Sequence, residues 1–246
     1  MIEKITGKAA LHKALNGIKD VYTECVRSFA DAYGTDYDFC TFYKQTGGTL
    51  ISNYYGSAVV AKSGKRTGDR LAELMEFLTC GMFRKVLMPY ESFEAANFDA
   101  NVEKINLMVY RTDVKISDDM SKVISVSEDS VGEISEIIAD GFDIDCNKWY
   151  TDMSHMLRHG TAKIYTLDGK ACAVRMYASS GIAYLSYICT RRSERGRGLA
   201  SRLISGVCDM ETAAGNEIYI FCRDNLKGFY EKNGFDLFGE AAELTI

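Results

Sequence analysis

The sequence predicts a mixed α/β (α+β) fold made of two similar halves, each a mainly antiparallel sheet flanked by helices. Three features predict it. Residues 162–190 hold three strand-like segments joined by turn residues. A glycine- and arginine-bearing loop at 195–198 then opens an amphipathic helix, followed by a further strand and helix. The N-terminal half repeats this order: a helical start, a three-stranded meander, a glycine-bearing turn, then helix, strand and helix. Identity between the halves is faint, so the order of elements is what suggests a duplication.

Leu11, Leu15, Ile18, Tyr22, Cys25 and Phe29 recur at alternating steps of four and three, which predicts one long amphipathic helix. Strands follow at Phe39–Lys44, Thr49–Tyr54 and Ser57–Ala61, joined by Thr46-Gly47-Gly48 and by Gly56, both hairpin signals. A helix fits Asp69–Thr79 and a strand Arg84–Met88. A short helix fits the stretch after Pro89, the chain's single proline, and a strand Ile105–Arg111 closes the half. Polar, aperiodic residues 116–122 predict a linker, giving domains 1–118 and 121–246.

In the second half a strand, Val123–Val126, leads into Ser127–Ser130, which can cap a helix ending near Gly141. A second helix covers about Lys148–Arg158. The meander is Ala162–Leu167, Ala171–Tyr177 and Ala183–Thr190, with turns at Asp168-Gly169 and Ser179-Ser180-Gly181. The helix opening near Leu199 has an apolar face of Leu199, Leu203, Ile204, Val207 and Met210. A strand Glu217–Cys222, a helix Leu226–Lys232 and a strand from Phe235 complete the pattern.

Bulk properties narrow the function. The 246 residues can bury one large core or two small ones. No apolar run approaches the roughly 20 residues that span a bilayer, and the N-terminus lacks the order of a secretory signal; these predict no membrane partner and a cytoplasmic address. Eight scattered cysteines form no Cys-x-x-Cys pair, which argues against disulfide frameworks and zinc. His155 and His159 stand at i, i+4, a spacing that also suits a polar helix face; no metal is expected. A net charge of −5 argues against nucleic acid. Five arginines nevertheless crowd residues 191–202, a local basic cluster suited to a small anion.

The chemistry gathers at Ala183–Ile204. A strand ends at Thr190, the loop Arg195-Gly196-Arg197-Gly198 follows, and a helix starts at Leu199. A helix N-terminus presents unpaired N–H groups and the positive end of the dipole. Glycines admit the anion to the backbone, and flanking arginines can add charge-assisted bonds. The segment therefore predicts a phosphate or pyrophosphate site. No Gly-Lys-Ser/Thr follows, so it is not a Walker loop, and a meander precedes it rather than a βαβ start.

Arg195-x-x-Gly198-x-Ala200, between strand and helix, resembles the pyrophosphate-binding signature of the GNAT superfamily of N-acetyltransferases. Asn225-x-x-Gly228-Phe229-Tyr230-Glu231-Lys232-x-Gly234-Phe235 is similar to that family's second signature. The resemblance covers roughly residues 121–246. It implies acetyl-CoA as co-substrate. Backbone groups of Ile188, Cys189 and Thr190 would face the pantetheine arm and thioester. N–H groups of Arg195, Gly196, Arg197, Gly198, Leu199 and Ala200 would cradle the pyrophosphate. Asn225 and Phe229 would contact the coenzyme across a V-shaped opening between strands 183–190 and 217–222. Arg192 departs from a common proline and Gly228 from a usual alanine.

Tyr230 matches the family's general acid. A phenol sits about 1.5 pKa units above a thiol, so full proton transfer to the thiolate is uphill by roughly 2 kcal/mol; a stabilising hydrogen bond fits better. No base is assigned: Tyr187, His155, His159 and Glu217 through water remain open. The N-terminal half shows no catalytic signature, Gly64–Gly68 lacking the phosphate-loop register, and resembles a degenerate member of a tandem pair. The expected activity is acyl transfer, by resemblance acetyl, from CoA to a primary amine of a small molecule or peptide, in a monomer or homodimer. The alternative is a non-catalytic acyl-CoA-binding or regulatory module.

Overall fold

The structure, a computed structural model, describes residues 1–61, 68–96, 100–111, 123–126, 130–179 and 181–246. Most of the Gly64–Gly68 turn, the linker at 116–122, residues 127–129 of the capping segment and Ser180 lie outside the described residues. The chain folds into two compact units. One comprises Met1–Leu107, Phe221–Asp224 and Phe238–Ile246; the other comprises Met108–Ile220 and Asn225–Leu237.

The first unit is built from β1 (Ile2–Lys4), α1 (Lys8–Leu15), α2 (Val21–Tyr33), β2 (Cys40–Gln45), β3 (Leu50–Tyr54), β4 (Ser57–Ala61), α3 (Gly68–Leu78), β5 (Lys85–Pro89), α4 (Tyr90–Ala96) and most of β6 (Asn101–Tyr110). β2, β3 and β4 form the predicted antiparallel meander, and β1 adds antiparallel to β2. The β3–β4 turn carries Tyr55 and Gly56, both at positive φ, the pairing a tight hairpin needs. β4 then runs parallel to β5 through α3. The far edge of β5 is covered by the end of the chain's last strand: Ala241–Thr245 pair antiparallel with Pro89–Lys85. Leu74, Met75 and Leu78 of α3 meet Ile51, Val60, Val86, Met88, Ala242 and Leu244 in the core.

The predicted single helix over residues 11–29 is two helices. α1 stops at Leu15, Gly17 takes φ +77°, and Asp20 starts α2 afresh, its carboxylate accepting from the N–H groups of Tyr22 and Thr23. A glycine stop and an aspartate cap outweigh continuous periodicity.

The second unit contains β7 (Val123–Val126), α5 (Val131–Gly141), α6 (Cys146–Arg158), β8 (Lys163–Leu167), β9 (Ala171–Ser179), β10 (Ile182–Thr190), a 3₁₀ turn (Arg192–Glu194) and α7 (Leu199–Ala213). β11 (Glu217–Cys222), α8 (Asp224–Lys232) and β12 (Phe235–Thr245) follow, each passing in part to the first unit. β7, β8, β9 and β10 are antiparallel neighbours, and β10 runs parallel to β11. Asp145 caps α6, which starts at Cys146, two residues before the predicted Lys148. The order β-α-α-β-β-β-α-β-α-β thus occurs twice along the chain.

α7 buries Leu199, Leu203, Ile204 and Val207 as its spacing predicts, but Met210 is only half-buried and Glu211 is 2% exposed. The reason is a polar knot. The Tyr165 hydroxyl donates to Glu211, Asn216 Nδ2 donates to it at 2.7 Å, and Arg175 Nη1 lies 3.6 Å away. Burial and then the Glu211 carboxylate push the Tyr165 phenol well up, keeping it the donor. Glu211→Ala should destabilise the second unit by about 3–5 kcal/mol, because it leaves Arg175 uncompensated. Urea denaturation followed through Trp149, the single and buried tryptophan, measures it; an unchanged midpoint would show the knot to be dispensable.

Candidate functional site

The site begins with a strand that leaves its neighbour. β10 pairs with β11 only from Ile182↔Glu217 to Leu185↔Ile220, yet β10 continues to Thr190. On its other side the pairing with β9 shifts register between Ser186 and Cys189, where β10 carries one extra residue. Such a bulge bends and twists a strand. Tyr187, in this stretch, has φ +48°, a conformation costly for a bulky residue and typical of functional sites. Edge-on rings of Phe142 at 5.4 Å and Trp149 at 5.9 Å hold it.

A cavity of ≈ 520 Å³ opens where the strand parts. Ile188, Cys189, Thr190, Arg195, Gly196, Gly198, Leu199, Ala200 and Phe229 line it, all of them read from the sequence as candidates. Among the predicted contacts Arg197 and Asn225 stand outside its lining, on exposed positions. Tyr230 is outside it too: its ring is 8% exposed and packs edge-on between Phe229 and Phe235, at 5.1 and 5.7 Å.

The loop is a backbone cradle. Gly196 and Gly198 have φ +78° and +72°, and a Cβ at either would meet nothing within 4 Å. Gly198 occupies the N-cap of α7 without offering a side-chain cap. The first backbone bond of the turn is from Arg202 N–H to Gly198 O at 3.1 Å, so the N–H groups of Leu199, Ala200 and Ser201 precede the helical ladder.

The arginines build that cradle more than they line it. Arg195 Nη2 donates to Asp140 O at 2.6 Å and its Nε to Thr190 O at 3.3 Å. This ties the loop to the ends of β10 and α5. The Arg192 N–H donates to the Asp140 carboxylate at 2.9 Å, and Arg191 reaches Gly169 O and Glu136. Arg197 pairs with Glu194 at 2.6 Å while 65% exposed. A surface pair of this kind is worth little, so the side chain is able to turn to an anion.

Sequence reasoning missed the wall supplied by Gly141 and Phe142 at the end of α5, and Glu194, Ser201 and Leu226. Gly141 is close-packed: a Cβ there would overlap Cys189 Sγ. That thiol donates to Ile137 O at 3.1 Å, and burial raises its pKa. It is a packing group rather than a nucleophile. Leu226 and Phe229, three apart on α8, present one face to the cavity.

Of the bases left open, Glu217 lies at the opposite end of β10, beside Ile182, and is engaged by Tyr219 and Arg111. Burial and then the charge of Asp152 raise the Tyr187 pKa, which makes it a poorer source of phenolate at neutral pH. His155 and His159 pack with ring centres 4.3 Å apart, tilted by 34°, and do not line the cavity. Among the described residues no His/Cys/Asp/Glu group is placed to hold a metal, and no helix is long and apolar enough to cross a membrane.

Residues 145–235 match the model of the acetyltransferase (GNAT) family. The similarity to that family covers residues 145–235, somewhat over a third of the chain. No curated protein is a significant match to the chain. Solved structures are similar over its whole length. A GNAT-family acetyltransferase from Colwellia psychrerythraea aligns with TM-score 0.64 at 10% identity, covering 100% of this chain and 99% of that one. A GCN5-related N-acetyltransferase from Kribbella flavida aligns with TM-score 0.63 at 12% identity, covering 92% and 93%. A tandem GNAT protein from the clavulanic acid biosynthesis pathway aligns with TM-score 0.61 at 10% identity, covering 100% and 98%. These likenesses establish the fold.

Gly198→Val finds room for its side chain, since nothing lies within 4 Å of a Cβ there. It forces a β-branched residue into left-handed backbone and narrows the cradle. Acetyl-CoA affinity should fall at least tenfold by calorimetry, while the circular dichroism melt stays cooperative and drops by only a few degrees. Wild-type affinity in the variant would remove the loop from the binding site.

Proposed function

We propose that the chain is an acyl-CoA-dependent N-acyltransferase, using acetyl-CoA to acylate a primary amine of a small molecule or peptide. The observation that carries this reading is the parted β10 edge leading directly to the glycine cradle of α7. Residues 186–190 offer main-chain groups no longer bonded to β11, and the cradle offers N–H groups at a helix start. An extended amide-bearing arm ending in a pyrophosphate fits both.

In this reading Ile188, Cys189 and Thr190 hold the pantetheine arm through the backbone. The loop from Arg195 to Ala200 takes the pyrophosphate, with Arg197 turning from Glu194 to join it. Leu226 and Phe229 give apolar cover, and Asn225, in the first turn of α8, lies beside them. Acetyl-CoA supplies an activated acyl group. The amine nitrogen attacks the thioester carbon, the carbon–sulfur bond breaks, and the nitrogen loses a proton. Tyr230 is assigned to the departing thiolate, one helical turn from Leu226.

One observation favours the alternative, a non-catalytic acyl-CoA-binding or regulatory module. The one carboxylate in the cavity wall is Glu194, paired with Arg197 and 3.9 Å from Lys170, and no histidine lines it. Thiol release across an amine panel, run beside CoA calorimetry, separates the two: binding without release selects the module.

Two outcomes test the assignments. Tyr230→Phe preserves ring packing and removes one hydroxyl. Folding and CoA affinity should stay near wild type while kcat drops about 10- to 1,000-fold with little change in KM; wild-type turnover would reduce Tyr230 to a packing residue. Because the N-terminal half lacks the phosphate-loop register, calorimetry should give one CoA per chain, and a stoichiometry of two would reveal a second cradle.

A further inference from the structure

The first unit has a cavity of its own, ≈ 350 Å³, on chemistry opposite to that of the phosphate cradle. Pro89 ends β5 and α4 begins at once, so Glu91 and Glu94 stand three residues apart on one helix face. Both line the cavity, as does Glu240 of β12. No lysine, arginine or histidine lines it. The remaining wall is aromatic and aliphatic, from Tyr22, Tyr90, Leu107 and Phe238.

Two independent observations say what such a wall receives. Lys104 shows how an ammonium is held here: its Nζ lies 2.7 Å from Glu240 and 4.6 Å from the centre of the Tyr90 ring. Carboxylate on one side and ring face on the other is the arrangement that binds organic ammonium groups. The second observation is Tyr22. It is 7% exposed, and its buried hydroxyl has no hydrogen-bond partner among the described residues. Buried hydroxyls are normally satisfied, so an orphan on a residue of the cavity wall calls for a partner that the described residues do not supply. Burial, then Asp20 and Glu91, raise the Tyr22 pKa, so the group is a neutral phenol able to accept an N–H.

We propose that this cavity binds the ammonium group of a small organic amine with an apolar body. Glu91 and Glu94 supply the counter-charge, Tyr22 Oη accepts one N–H, and Leu107 and Phe238 cover the carbon skeleton. An anion is disfavoured by Glu91 and Glu94, Glu240 being already paired with Lys104. A metal ion is disfavoured, because no His/Cys/Asp/Glu group among the described residues has a metal-holding arrangement. The site stands on residues of the first unit alone and needs no acyl-CoA.

The test is calorimetric titration of the full chain, without CoA, using 2-phenylethylammonium and its neutral counterpart 2-phenylethanol. The ammonium should bind and the alcohol should bind at least tenfold more weakly. Glu91→Gln with Glu94→Gln changes two exposed side chains and should weaken the ammonium at least tenfold. Tyr22→Phe, which keeps the ring against Phe221, should weaken it at least threefold. Circular dichroism melts confirm that each variant is folded. Equal binding of amine and alcohol, no binding of the amine at millimolar concentration, or wild-type affinity in the folded glutamine variant would overturn the proposal. None of these results bears on the acyltransferase reading, which is tested by CoA binding.

Discussion

Everything at the cradle depends on β10 abandoning β11 after four paired residues. Buried backbone polar groups must be satisfied, and a central strand ordinarily satisfies them on both edges. Here pairing with β11 stops at Leu185↔Ile220 while the strand runs on to Thr190. The parting is enforced from within. The extra residue between Ser186 and Cys189 and the positive φ of Tyr187 twist the strand away, and the rings of Phe142 and Trp149 prevent relaxation. Strain on the order of 1–3 kcal/mol at such a residue persists because packing over-determines it. The edge so exposed is a template for a ligand that brings its own amides.

The second constraint lies at the end of the same strand. The Thr190 and Asp140 carbonyls are the C-terminal acceptors of β10 and α5, and one guanidinium bridges them. Arg195 is therefore valuable for what it fixes, as is Asp140, which receives the Arg192 N–H. With the loop pinned, Gly196 and Gly198 can aim main-chain N–H groups outward without side chains of their own. The charge of the arginine cluster remains as a local field over the cradle, although most guanidiniums already have partners.

Much of this was readable in the sequence because it is local. The meander strands, the helix opening at Leu199 and the glycine spacing are short-range signals, and the structure places Gly196, Gly198 and Ala200 in one cavity wall with Ile188–Thr190. What was not readable is tertiary. Nothing near Gly141 or Phe142 announces that α5 ends against Cys189. Glu211 reads as a surface residue until Tyr165, Asn216 and Arg175 are brought to it from other elements. The break between α1 and α2 was available in Gly17 and Asp20, and apolar periodicity concealed it. The bulge at Tyr187 has no signature, since an aromatic at positive φ violates local preference, and such violations gather at functional sites. The cavity beside Tyr22 was beyond reach because its walls come from residues 22, 89–91, 94, 107 and 238–240.

The last strand shows why sequence position and folding unit part company. Residues 238–246 belong to the first unit, where Ala241, Ala242 and Leu244 are fully buried. They also close the free edge of β5. An uncovered β5 would present unpaired N–H and C=O groups beside a buried apolar face, the condition that favours edge-to-edge association. The N-terminal unit thus obtains part of its core and the edge protection of β5 from the final residues of the chain. Those same residues supply Phe238 and Glu240 to the acidic cavity beside Tyr22. A chain severed near residue 118 would lose both at once, so the duplicated order of elements does not imply two independently folding halves.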